Sequence, residues 1–193
     1  MPRSVVARLT LGARIAIATL PLAALHSADL PPQRLPVLGG SGGTAFARDC
    51  GPGRVLTGLR YRAGLVVDAI GIMCSPVLAN GTLGPESIVG TLAGGSGGTT
   101  NVASCYGRAL FAFKVYYGSY VSYLVPTCSE WKASTRTFSK NVHDFMDFPL
   151  GNNLTPSSVQ RVEECSDSTQ PGSGIQGRVG AFVDAIGLVC DEP

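Results

Sequence analysis

The stretch from Cys50 to Cys74 reads CGPGRVLTGLRYRAGLVVDAIGIMC, and the stretch from Cys165 to Cys190 reads CSDSTQPGSGIQGRVGAFVDAIGLVC. Both close on Val-Asp-Ala-Ile-Gly, two apolar residues and a cysteine. A third stretch, Cys105 to Cys128, reads CYGRALFAFKVYYGSYVSYLVPTC; it keeps the length and loses the phrase. The three cysteine separations are 24, 23 and 25 residues. Six cysteines can pair in many ways. The repeat selects Cys50–Cys74, Cys105–Cys128 and Cys165–Cys190, because each copy then closes its own loop. A loop of this size stabilises by roughly 3 kcal/mol in the chain-entropy model. Structural zinc would need tight Cys-x-x-Cys or Cys/His clusters. The sequence has none, so neither a metal nor another cofactor is expected.

A glycine-rich phrase moves with the cysteines. Gly39-Gly40-Ser41-Gly42-Gly43-Thr44 recurs as Gly94-Gly95-Ser96-Gly97-Gly98-Thr99, displaced by 55 residues, the same displacement that takes Cys50 to Cys105. A third repeat begins near Gly151-Asn152-Asn153, where the glycine pattern has decayed. The repeats are therefore 37–90, 91–146 and 147–193. Within them, β-branched and apolar runs at 55–62 and 66–73, at 110–117 and 120–127, and at 174–179 and 182–189 flank short glycine-bearing turns and read as hairpins. Ile70, Ile72 and Cys74 share one parity and should face inward. Residues 78–92 and 129–148 should supply further strands. The expected fold is all-β. Each repeat is expected to form a small four-stranded sheet, and three such sheets bury one face each against a common axis.

Composition agrees with this. Of 193 residues, 25 are glycine and only 15% are charged, which suits a turn-rich β domain. Residues 1–28 carry Arg3, Arg8 and Arg14, no acid, and an apolar run at 15–25 that is too short to span a bilayer. They read as a secretory signal peptide, followed by one domain at 29–193. With those three arginines set aside, 12 basic and 13 acidic residues remain, a net charge of −1. That balance argues against nucleic acid and anionic membrane as partners. Beyond the signal, no segment is long and apolar enough to cross a membrane. Export and an even number of cysteines agree, since disulfides persist outside the cytosol.

The glycine phrase GGSGGTAF at 39–46, together with Gly-x-x-x-Asp before an isoleucine, resembles the jacalin-related lectins. The cysteine-bracketed unit with Val-Asp-Ala-Ile also resembles the vitelline membrane outer layer proteins. Both resemblances imply a β-prism, three four-stranded Greek-key sheets around a pseudo-threefold axis, here with one disulfide per repeat. The lectin resemblance implies a sugar held between a glycine loop and a Gly-x-x-x-Asp loop. A carboxylate accepts hydrogen bonds from sugar hydroxyls, and glycine lets backbone amides come close. In that arrangement the last Gly-x-x-x-Asp loop meets the first glycine loop. One site then comprises Gly39, Gly40 and Gly43 with Gly180, Ala181, Phe182, Val183 and Asp184. A second comprises Gly94, Gly95 and Gly98 with Gly64, Leu65, Val66, Val67 and Asp68. Gly43 and Gly98 are the expected amide donors, and Phe182 would offer an apolar face. The middle copy has Ser122 in place of the aspartate and would face the decayed loop at Gly151, a lapsed site.

The function implied is non-catalytic binding of glycans or glycoconjugates by a secreted protein, with avidity from two sites or from homo-oligomers. The alternative is an extracellular coat or matrix protein of the vitelline membrane type that binds no free sugar. In that case Asp68 and Asp184 cap their own turns. Catalysis has little support. His143 is the only histidine after the signal, and no Gly-x-Ser-x-Gly elbow is present. Trp131 reads as a core anchor. Tyr116, Tyr117, Tyr120 and Tyr123 read as a packed sheet face or a protein-binding patch.

Overall fold

The computed structural model describes residues 30–139, 150–152 and 159–193. The signal-like segment, His143 and Asn153 lie outside them. Strands occur at Gln33–Arg34 (β1), Leu38–Gly39 (β2), Thr44–Asp49 (β3), Arg54–Ala63 (β4), Val67–Pro76 (β5), Ser87–Gly94 (β6) and Thr99–Ser104 (β7). They continue with Ala109–Tyr117 (β8), Val121–Ser129 (β9), Trp131–Lys132 (β10), Thr137–Phe138 (β11), Val159–Glu164 (β12), Gly172–Val179 (β13) and Val183–Cys190 (β14). No helix among the described residues is long and apolar enough to cross a membrane.

The three predicted hairpins are present as β4–β5, β8–β9 and β13–β14, and each forms the centre of one sheet. The first sheet runs β1-β14-β13-β3, with β2 also on β14; the second runs β6-β5-β4-β7; the third runs β12-β8-β9. The pseudo-threefold relation holds residue by residue. Thr44 pairs Val179, Thr99 pairs Ala63, and Val159 pairs Tyr117. On the other side of each hairpin, Leu38 pairs Ile186, Ala93 pairs Ile70, and an isolated bridge joins Leu150 to Leu124. The outer strand of the third sheet is thus reduced to that bridge among the described residues.

The expectation that each repeat makes its own sheet is not what the topology shows. A glycine loop and its two strands join the hairpin of the preceding repeat, and the first loop joins the last hairpin. The reason lies in hydrogen bonding. Each hairpin offers two open edges, and the strands on either side of a glycine loop fill both.

The hairpins face the axis and the added strands face solvent. Leu56, Leu59, Ile70 and Ile72, Leu110, Phe113 and Leu124, and Ile175, Ile186 and Leu188 come from the three hairpins and are all buried in one cluster. Burying each such side chain is worth about 1.5–3 kcal/mol. Phe111 and Phe138 stack with centroids 5.2 Å apart. Trp131 packs against this core and donates its indole N–H to the Gly81 carbonyl at 2.8 Å, the anchoring role its sequence context suggested.

The disulfides are the three the repeat selected. Each also joins two neighbouring sheets. Cys50 follows β3 of the first sheet, where its amide donates to the Ser173 carbonyl, while Cys74 lies on β5 of the second. Cys105 follows β7 and binds Cys128 on β9; Cys165 follows β12 and binds Cys190 on β14. The three bonds close a covalent ring around the axis at the end away from the glycine loops.

Candidate functional site

Each hairpin carries a β-bulge at the same place. In the last, Arg178 pairs Ala185 and Val179 pairs Val183, which leaves Asp184 as the extra residue. In the first, Arg62 pairs Ala69 and Ala63 pairs Val67, which leaves Asp68. In the middle, Ser122 is the extra residue between the Tyr116–Tyr123 and Tyr117–Val121 pairs. A bulged residue is released from the ladder and its side chain is re-aimed. Here the released Asp184 and Asp68 side chains turn toward the glycine loop beside their own hairpins.

The contacts are close. The Gly40 amide donates to the Asp184 carbonyl at 2.8 Å, and the Gly95 amide donates to the Asp68 carbonyl at 2.8 Å. A methyl group built on Gly42 would lie 2.7 Å from Asp184 Oδ1, and one on Gly98 would lie 2.6 Å from Asp68 Oδ2. Gly43 likewise abuts Asp184 Oδ2, and Gly97 abuts Asp68 Oδ1. Gly43 and Gly98 also have φ of 64° and 60°, so both space and backbone require glycine there. Gly39 pairs with Ala185 and Gly94 with Ala69, which places both loops at the hairpin ends. Gly64 and Gly180 close the hairpin turns by donating to the Val66 and Phe182 carbonyls.

The two carboxylates differ in surroundings. Asp184 is half-buried, and its Oδ2 is buried with no hydrogen-bond partner. Asp68 is 6% exposed. Around Asp68 lies an open cleft of about 340 Å³ lined by Gly64, Leu65, Val66, Gly98, Tyr120 and Phe182. Leu65 is 74% exposed at its rim, and the Tyr120 and Phe182 rings meet at 5.3 Å. Phe182 therefore lines the cleft at Asp68, although its own loop belongs with Asp184. The cause is the axis: the turn at Ala181 abuts Gly95, just as the turn at Ser119 abuts Gly40. Each glycine loop is sandwiched between its own hairpin and the turn of the next. Tyr120 enters the same way, and the sequence offered no signal that a middle-copy tyrosine would reach another copy's aspartate. Val67 and Val183 are fully buried, so their side chains serve the core.

The third position is different. Ser122 Oγ donates to the Tyr116 carbonyl at 3.1 Å. The Asn152 amide donates to the Leu65 carbonyl at 3.0 Å. Among the described residues no carboxylate stands there.

Two side chains absent from the sequence-based candidates touch the loops. Arg62 donates from Nε to the Gly97 carbonyl at 2.7 Å and from Nη2 to the Ser96 and Gly98 carbonyls at 2.7 and 2.8 Å; Nη1 reaches Thr100 Oγ1 at 2.9 Å. Arg178 donates from Nε to the Gly42 carbonyl and from Nη2 to the Gly43 carbonyl, both at 2.7 Å. Their sequence signal was Arg-x-Gly-x-x-x-Asp, present at 62–68 and 178–184 and absent at 116–122.

A three-sheet prism with bulged aspartates against glycine loops defines the fold as the jacalin-like β-prism. Solved structures agree. Malaysian banana lectin matches at TM-score 0.55 and 21% identity, covering 86% of this chain and all of that one. A mannose-binding jacalin-related lectin from Ananas comosus matches at 0.56 and 22%, covering 84% and 99% of the two chains. The second β-prism domain of RbmC from V. cholerae, bound to N-acetylglucosaminyl-β-1,2-mannose, matches at 0.52 and 14%, covering 81% and 98%. At these identities the likeness establishes the fold. No protein-family model and no curated sequence matches the chain.

Proposed function

We propose that this is a secreted, non-catalytic carbohydrate-binding protein with two sugar sites, one at Asp184 with the loop at 39–43 and one at Asp68 with the loop at 94–98. The observation that carries the reading is the open cleft of about 340 Å³ at Asp68, lined by Leu65, Gly98, Tyr120 and Phe182. A carboxylate there can accept from sugar hydroxyls. Asp184 holds the matching position, its carboxylate set against Gly42 and Gly43. At the Asp68 site, the Tyr120 and Phe182 rings offer the apolar surface that the C–H face of a sugar needs. The fold supports the same reading, because the pineapple and V. cholerae neighbours are named for mannose and a mannose-containing disaccharide.

Mannose is accordingly the first probe. A single shallow site is expected to bind it at around millimolar Kd, about 4 kcal/mol. On a glycan array the wild type should give signal, Asp184→Asn and Asp68→Asn should each reduce it, and the double variant should abolish it. Signal unchanged in the double variant would remove both sites. The ring of three inter-sheet disulfides favours a second reading, a durable coat or matrix protein. A wild-type protein silent on the array would favour that one.

A further inference from the structure

We infer that Arg62 and Arg178 are positioning residues for the two sugar sites: each guanidinium grips the carbonyl of the peptide whose amide is the sugar-contacting donor. This deepens the carbohydrate reading and rests on it. Within a trans peptide the C=O of one residue and the N–H of the next point in opposite directions. Arg62 Nε holds the Gly97 carbonyl at 2.7 Å, which sets the direction of the Gly98 amide. Arg178 Nε holds the Gly42 carbonyl at 2.7 Å, which sets the Gly43 amide. Those are the two amides expected to face a sugar.

The need for a clamp follows from composition. Of the five residues at 39–43 and at 94–98, four are glycine in each loop. Such a segment loses more conformational freedom on ordering than any other. A loop left free would be ordered by the sugar, at the expense of affinity. Charge-assisted hydrogen bonds from a planar fork order it beforehand. Arg62 makes three such contacts to its loop and Arg178 two to the other, so the Asp68 loop is the more tightly held. The middle copy supplies an internal comparison. There the position of the arginine is taken by Tyr116, whose ring packs edge-on against Tyr123 at 5.4 Å, and the aspartate is Ser122. The arginine is absent where the carboxylate is absent.

The test isolates one site at a time. In an Asp184→Asn background, Arg62→Met is expected to weaken mannose binding about tenfold or more, read by NMR titration. Arg62→Lys, which keeps the charge without the fork, should fall between them. Arg178→Met in an Asp68→Asn background should act likewise at the other site. Amide exchange without sugar gives the second readout: in Arg62→Met, the Gly98 and Thr99 amides should exchange faster than in the wild type by more than those of Gly43 and Thr44. Wild-type affinity in Arg62→Met overturns the inference. So does an equal loss from this one change at both sites, which marks general destabilisation. If the wild type binds no mannose, the carbohydrate reading falls and exchange alone judges the clamp: faster Gly98 exchange sustains it and unchanged exchange ends it.

Discussion

Replacing Asp184 by asparagine should stabilise the fold and weaken sugar binding. Asp184 Oδ2 is buried and unpartnered. A buried acceptor in that state costs about 1–3 kcal/mol, and because the residue as a whole is half-buried the lower end applies. Asparagine keeps the shape and removes the most demanding acceptor, so a gain of about 1 kcal/mol is expected. For a domain of this size that raises Tm by about 2–4 °C, measurable by calorimetry. The same change deletes a charged acceptor for sugar hydroxyls, worth about 1.5–3 kcal/mol per bond, so mannose binding at this site should fall roughly tenfold to a hundredfold. An aspartate that merely capped its own turn would behave oppositely, with asparagine neutral or destabilising and no ligand to lose. A fall in Tm of several degrees would refute the reasoning.

Gly98→Ala combines a positive φ with a methyl group 2.6 Å from Asp68 Oδ2, and should cost about 2–4 kcal/mol in denaturant unfolding. Gly107→Ala, at φ 80° with nothing within 4 Å, should cost only about 1 kcal/mol; equal losses would discount the close approach. Removing both Cys165 and Cys190 opens a loop of 25 residues and the only disulfide between the third sheet and the first among the described residues; a loss of about 3 kcal/mol is expected by calorimetry, and a loss under about 1 would contradict it. Burial raises the Tyr61 phenol above its ordinary pKa of 10.0. Below that pH the phenol is neutral in both states and contributes no pH dependence. Above it the unfolded chain ionises first, so stability is lost as pH rises through the folded value. Tyr61→Phe should flatten the stability profile above pH 10, and an unchanged slope would exclude this residue as its source.

Local spacing carried much of this protein. Alternating apolar runs between glycine turns specified three hairpins, because strand preference and turn chemistry are properties of neighbouring residues. Equal cysteine spacing in three copies specified the pairing, since a repeat must treat its copies alike. The resemblance to the jacalin-related lectins implied Asp184 beside the first loop and Asp68 beside the second, and the match between intact glycine phrases and intact Gly-x-x-x-Asp phrases agreed with it. Closure around the axis decided the rest. It split each repeat between two sheets, so that Cys50–Cys74 is local in the chain and yet a bond between sheets. It set the register that leaves Asp68 and Asp184 as bulge residues. It carried Phe182 and Tyr120 to Asp68 and laid Arg62 and Arg178 along the loop carbonyls. Those contacts depend on which edge meets which across the prism, and no stretch of a few residues contains that information.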